Sequence, residues 1–294
     1  MRIRLTSPSP LAKLIVSMCI FGTIGIFRRF IPLSSELLAF CRGLLGALFI
    51  CIYARRKRIS AKPLSMFQKI SFILSGAAIG INWMLLFEAF NYTSVAVATL
   101  CYYMQPTIVL LLSALLLGER MTIKKGICAL IAVIGMILLS GVSGPNMGPE
   151  NHRGVLFGLS AAFLYAIVIL LNKKTPPADA YSKTAIQLFS AAIIMVPYLF
   201  ATGGFSRIEF HLFSLALTAV VGLVHTGIAY ALFFSSLDGL KAQTVAIFSY
   251  IDPVTALVLS VLVLHEPLTA RSLLGAILIL GAAAVSEIQP KCSR

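Results

Sequence analysis

Charge is scarce in this 294-residue chain. Only 12% of its residues are Asp, Glu, Lys or Arg, against roughly a quarter in soluble domains. With 59% hydrophobic residues and a mean hydropathy of +0.95, the apolar surface exceeds what a water-soluble core can hide. That excludes an ordinary soluble domain and directs attention to spans of about 20 apolar residues. Acidic residues are the rarest charged class, 10 against 24 basic ones, for a net charge of +14. Such an excess often marks nucleic-acid binding. Here the basic residues gather in the breaks between apolar runs, which is a membrane-topology signal, and no nucleic-acid partner is expected.

Metal and nucleophile patterns are missing too. The six cysteines (Cys19, Cys41, Cys51, Cys101, Cys128 and Cys292) show no CxxC spacing, and five fall inside apolar runs, where cysteine packs as a small apolar residue. His152, His211, His225 and His265 show no paired-ligand spacing, and no Gly-rich nucleotide loop is present. These absences exclude an intramembrane metallohydrolase and an ATP-driven pump, and they imply no metal, no cofactor and no enzyme. At the amino end, Arg2, Arg4 and Lys13 precede an apolar run as in a signal peptide. No small-x-small site closes that run, and Met18 is too bulky for a cleavage box at Val16-Ser17-Met18-Cys19. It reads as a first span.

What is present is a series of ten apolar segments: Lys13–Phe30, Ser34–Tyr53, Gln68–Phe90, Ser94–Leu117, Lys124–Gly141, Gly154–Asn172, Ser182–Ala201, His211–Ser235, Leu240–Leu264 and Arg271–Glu287. Connections as short as Asn91-Tyr92-Thr93 leave room only for helical hairpins, because lipid satisfies no backbone polar group. Counted over alternate loops, 18 Lys and Arg fall on one side and 5 on the other, with Arg42 inside the second span. The positive-inside rule then places both termini in the cytoplasm of a multi-pass plasma-membrane protein.

The second half repeats the first at a constant offset of 147 residues. Gly80-Ile81 matches Gly227-Ile228, Phe87 matches Phe234, Tyr103 matches Tyr250 and Pro106 matches Pro253. The register continues through Ser113 and Ser260, Glu119 and Glu266, and Thr122 and Thr269. Each copy holds five spans, an odd number, so the second copy enters the membrane from the opposite side. The expected fold class is therefore an all-α integral membrane protein with ten transmembrane helices as two inverted five-helix repeats, residues 1–143 and 144–294. Inverted halves that rock about a central site are the architecture of secondary transporters. A channel or sensor without coupled transport is the alternative reading, although neither a filter-like loop nor a ring of charge is visible.

The duplicated set of motifs carries a resemblance. The Pro-containing spans that end in Gly118-Glu119-Arg120 and His265-Glu266-Pro267, together with Asn82-Trp83 and Phe87-Glu88-Ala89, resemble the paired EamA modules of the drug/metabolite transporter superfamily. The resemblance covers nearly the whole chain. It implies a ten-helix fold with a central cavity lined mainly by the first, third and fourth spans of each half. It implies no particular substrate.

Ionisable groups at membrane depth are costly and therefore candidates for function. Asp252, before Pro253, combines a charge with a proline-freed carbonyl; its counterpart Gln105-Pro106 keeps the break without the charge. The alternative is a structural kink and an interhelical bond. Asp252 and Glu88 are the candidate coupling residues, Glu88 being either a buried proton or cation site or a solvated rim residue. Arg42 needs a counter-charge or helix carbonyls, or simply packs between helices. Candidate substrate-binding residues are Asn82, Trp83, Tyr102, Tyr103, Gln105, Tyr165, His225, Tyr230 and Tyr250, whose rings stack on a planar or cationic solute while their polar tips orient it, or which only pack. His225 is either half of a proton-coupling pair with Asp252 or an interhelical hydrogen-bonding group. Gly76-x-x-x-Gly80 has the spacing for close helix approach. The expected partners are a small-molecule substrate and the lipid bilayer. The expected activity is secondary transport of an amino acid or related solute, as export and with proton exchange.

Overall fold

The computed structural model describes residues 9–59, 63–118, 121–140, 149–204, 212–237, 240 and 242–287. Glu119 and Arg120 of the first copy's motif lie outside them, as do Arg2, Arg4, Lys62, Arg207, His211, Lys241, Lys291, Cys292 and Arg294. Among the described residues every regular element is helical, and the elements line up as ten rods. These are α1 (Pro10–Arg29), α2 (Ser35–Arg56), α3 (Met66–Tyr92), α4 (Val95–Tyr102 and Gln105–Leu117), α5 (Ile123–Ser140) and α6 (Pro149–Lys174). They continue as α7 (Ala180–Ala201), α8 (Leu212–Leu237), α9 (Ala242–Ser249 and Ile251–Leu264) and α10 (Ala270–Glu287). Among the described residues seven helices are long and apolar enough to cross a membrane, with Ile251–Leu264 and Ala270–Ser286 as shorter apolar helices.

Local chemistry sets the helix starts. Ser65 Oγ accepts from Gln68 N while Gln68 Oε1 accepts from Ser65 N, a complete capping box at α3. Ser94 caps α4 through Val97 N, and Asp179 caps α7 through Ser182 N at 2.7 Å. Such caps matter in lipid, where an orphan amide finds no water. Between the charged helix ends the exterior carries many exposed apolar side chains, among them Leu130, Ile193 and Leu262. A surface of this kind faces hydrocarbon.

The rods alternate in direction, and each end of the bundle is tied by its own contacts. At the end bearing Arg55, Lys173 and Lys183, Gln68 donates to the carbonyls of Pro176 and Pro177, and Tyr53 stacks on Tyr181. At the far end Arg29, Thr93, Asn151 and Glu266 meet. Between the ends, α3 packs on α6 and α7, α2 on α7 and α8, and α5 on α10. Gly76 and Gly80 make the α3–α7 approach possible. An added Cβ at Gly76 would strike the Gln187 backbone, and one at Gly80 would strike Ala191 O. The Gly-x-x-x-Gly face is thus a seam to α7 and stands apart from the cavity lining.

Two rods are broken at matched places. In α4 the helix stops at Tyr102 and resumes at Gln105, with Pro106 in the new first turn. In α9 it stops at Ser249 and resumes at Ile251, with Pro253 in the first turn. Proline has no N–H and fits a helix start better than an interior. The tyrosine at each break, Tyr103 and Tyr250, precedes its proline by three residues in both copies.

Candidate functional site

A cavity of about 300 Å³ opens at the level of the two breaks, walled by α1, α3, α4, α6, α8 and α9. These are the first, third and fourth rods of each copy. Rod α2 adds one side chain, Arg42. Of the residues named from sequence, Trp83, Tyr102, Tyr103, Gln105, Tyr165, Tyr230, Tyr250 and Asp252 line this space together. Its size suits a small solute.

The breaks are joined across the cavity. Tyr103 donates its hydroxyl proton to Asp252 Oδ2 at 2.7 Å, linking the first copy's break to the second's. Tyr102 packs beside Tyr165 at 5.7 Å between ring centroids, Tyr103 beside Tyr250 at 6.4 Å, and Phe21 edge-on to Tyr230 at 5.3 Å. Gln105 Oε1 is buried with no hydrogen-bond partner among the described residues. On another part of the wall Arg42 holds its Cζ 4.0 Å above the Trp83 ring centroid, and its Nε donates to Thr226 Oγ1 at 2.9 Å. Arg42 and Asp252 are the one cation and the one carboxylate among the described lining residues. Walls of low dielectric strengthen the action of each on a solute relative to bulk water.

Three residues named from sequence do not line the cavity. Asn82 is fully buried and donates to Ala161 O, tying α3 to α6. His225, 1% exposed, bonds Thr23 Oγ1 at 2.7 Å and sits edge-on to Phe27, tying α8 to α1. Glu88 accepts from Ser35 Oγ at 2.6 Å and from Asn91 Nδ2 at 3.1 Å, in a rim cluster with Arg28, which donates to Ile31 O and Ser35 Oγ. Conversely, Phe21, Thr99, Phe233 and Ser249 line the cavity without having been singled out. Phe21 and Phe233 have no sequence signal among so many apolar residues. Arg42 had one, its lone charge in mid-span.

At the far end of the bundle Glu266 ties α9 to α4 and α1. Glu266, just beyond α9, accepts from Val95 N at 3.0 Å and Ala96 N at 3.4 Å, the first amides of α4. Its Oε1 also pairs with Arg29 Nη2 at 3.1 Å, and Arg29 donates to Thr93 O at 2.7 Å. A carboxylate at a helix start meets both free amides and the positive end of the helix dipole. The segment Ile251–Leu264 packs against Val95–Tyr102 and the end of α1. Toward the other end Gln105–Leu117 packs on α6 and α5, and Ala242–Ser249 on α1 and α10.

Comparison with known proteins gives this geometry a context. The EamA-like transporter family matches the chain twice, over residues 9–141 and 152–287. The chain belongs to that family. A transporter of Bacillus subtilis named YxxF is 30% identical over 249 residues, covering 84% of this chain and 79% of its own. Protein PecM of Dickeya dadantii is 28% identical, covering 90% of this chain and 87% of its own. One crystal structure shares the fold, with a TM-score of 0.65 at 20% identity over 94% of this chain and 95% of that one. EamA family membership makes this a multi-pass membrane protein of the transporter type and sets transport of small solutes as its activity class.

Proposed function

We propose that this EamA family member is a secondary transporter that moves an amino acid or a related small metabolite across the plasma membrane by alternating access. In this reading residues 1–143 and 144–294 form two inverted halves, with both termini cytoplasmic. The observation that carries it is the cavity at the two matched breaks, holding one arginine and one aspartate, with the far end of the bundle tied by Arg29 and Glu266. A solute with separate charged ends fits such a wall. The positive-inside rule makes the tied end external. The other ends of the broken rods, which pack on different neighbours, then face the cytoplasm, and this reading loads the solute from inside and exports it. Asp252 is the coupling residue of this reading. Its carboxylate meets the solute space, whereas Glu88 is held in the rim cluster. Reclosing toward the cytoplasm requires the inner halves of α4 and α9 to swing, with Tyr103-Met104 and Tyr250 as the hinges.

A thermal-shift screen of purified protein against a library of amino acids and related metabolites tests the reading. A ligand that binds only the folded state at a hundredfold excess over its dissociation constant adds about 2.7 kcal/mol of stability. At least one such solute is expected to raise the melting temperature of the wild type and to lose that effect in Tyr250→Ala. If none does, or if Tyr250→Ala responds as the wild type does, the cavity is not the solute site.

A further inference from the structure

Arg42 is a cation without a counter-ion. It is 5% exposed, yet among the described residues no carboxylate lies within ion-pair distance of it, and no ion pair joins it to Asp252. Its Nε donates to Thr226 Oγ1, its Cζ lies 4.0 Å over the Trp83 ring, and Phe87 stands 5.8 Å away. The two terminal nitrogens donate to nothing among the described residues, and the side chain lines the cavity. A guanidinium carries five N–H donors in a planar fork that matches an oxyanion. Only one donor is engaged here, at a depth where an unpaired charge is costly.

The sequence builds this seat in one copy only. Rod α8 winds as a π-helix over Val221–Ile228, a form that concentrates at functional sites. Within it the Thr226 hydroxyl donates to Val221 O, five residues back, at 3.2 Å. With its proton so engaged, the hydroxyl oxygen turns a lone pair to Arg42. Gly46, one turn beyond Arg42, leaves room for Thr226, since a Cβ there would overlap that side chain. At the 147-residue offset the first copy has Ile79 in place of Thr226, inside the uninterrupted α3.

We propose that Arg42, positioned by Thr226 and backed by Trp83, is an anion subsite that takes a carboxylate-class group of the transported solute. The role in transport rests on the reading of the cavity given above; the anion seat itself does not. Trp83 is the single tryptophan of the chain, so its fluorescence reports on this site alone. Protein in detergent micelles, which add no tryptophan, is titrated with iodide and, separately, with the neutral quencher acrylamide. Iodide quenching is expected to fall at least about threefold in Arg42→Gln and in Thr226→Val, because a cation in a cleft concentrates counter-ions. It is expected to return in Thr226→Ser, and acetate is expected to relieve it in the wild type. Acrylamide quenching stays unchanged across the set. Thr226→Val keeps the side-chain shape and removes only the hydroxyl, so a merely structural role would not move the iodide response. An iodide response indifferent to Arg42→Gln overturns the anion seat, and one indifferent to acetate overturns the carboxylate class. If acrylamide fails to reach Trp83 in the wild type, no open cavity faces the indole, and the transport reading falls with the proposal. Absence of solute transport beside an intact iodide and acetate response removes the transport reading alone.

Discussion

Replacing Asp252 by asparagine is expected to lower uptake of a labelled amino-acid mixture, driven by a pH gradient in proteoliposomes, by about a hundredfold. A hydrogen bond from the solute to an ionised group contributes about 1.5–3 kcal/mol, and Asp252 is the one carboxylate among the described residues of the cavity wall. Asparagine keeps the volume and still accepts from Tyr103 at this site. What it loses is the charge and the ability to carry a proton. Tyr103→Phe removes one hydrogen bond to that carboxylate and is expected to cost about ten- to a hundredfold. Glu88→Gln is the contrasting case. Glu88 answers to Ser35 and Asn91 at the rim, so uptake is expected to stay within about threefold of wild type. An Asp252→Asn protein that folds and retains uptake within that same margin would remove the aspartate from the coupling role.

Glu266→Gln is expected to unpin the far end. The carboxylate serves three donors at once, the amides of Val95 and Ala96 and the guanidinium of Arg29. Hydrogen bonds to a charged group contribute about 1.5–3 kcal/mol each. Hydrogen–deuterium exchange at residues 93–97 is therefore expected to rise by at least about tenfold in the variant, since local opening exposes those amides. Glu266 is 14% exposed at its side chain, so solvent screens this cluster less than it screens a surface pair. Arg153→Ala, which breaks the solvent-exposed pair with Glu150, is expected to leave that exchange within about twofold. Unchanged exchange in Glu266→Gln would mean that packing of Ile251–Leu264 on Val95–Tyr102 holds this end without the carboxylate.

The two breaks were legible because proline leaves a mark that neither lipid nor packing erases, and Pro106 and Pro253 sit where the rods stop. The tyrosines were legible for a related reason: polar-tipped rings away from the charged loops have few places to go except inward. Facing was the harder question. Trp83, Leu86 and Phe90 follow helical spacing onto the cavity, whereas Asn82 is turned about 100° from Trp83 and bonds Ala161 on α6. Glu88, five residues beyond Trp83, points off the cavity face altogether. His225 makes the interhelical bond that was one of its two sequence readings. The π-stretch Val221–Ile228 changes the phase of α8, and no residue pattern announces it. Arg42 was visible as a mid-span charge, but its surroundings come from Thr226, 184 residues away in sequence. A single chain read without its contacts holds no trace of that pairing.

Counterflow in proteoliposomes tests the central claim most directly. Vesicles holding wild-type protein are loaded with an unlabelled amino-acid mixture and diluted into a trace of the labelled mixture. If a cavity that faces one side at a time carries the solute, label enters against the total gradient, entry is accelerated by solute on the opposite side, and the rate saturates. Entry that rises linearly with concentration and ignores solute on the opposite side would contradict alternating access and favour a channel.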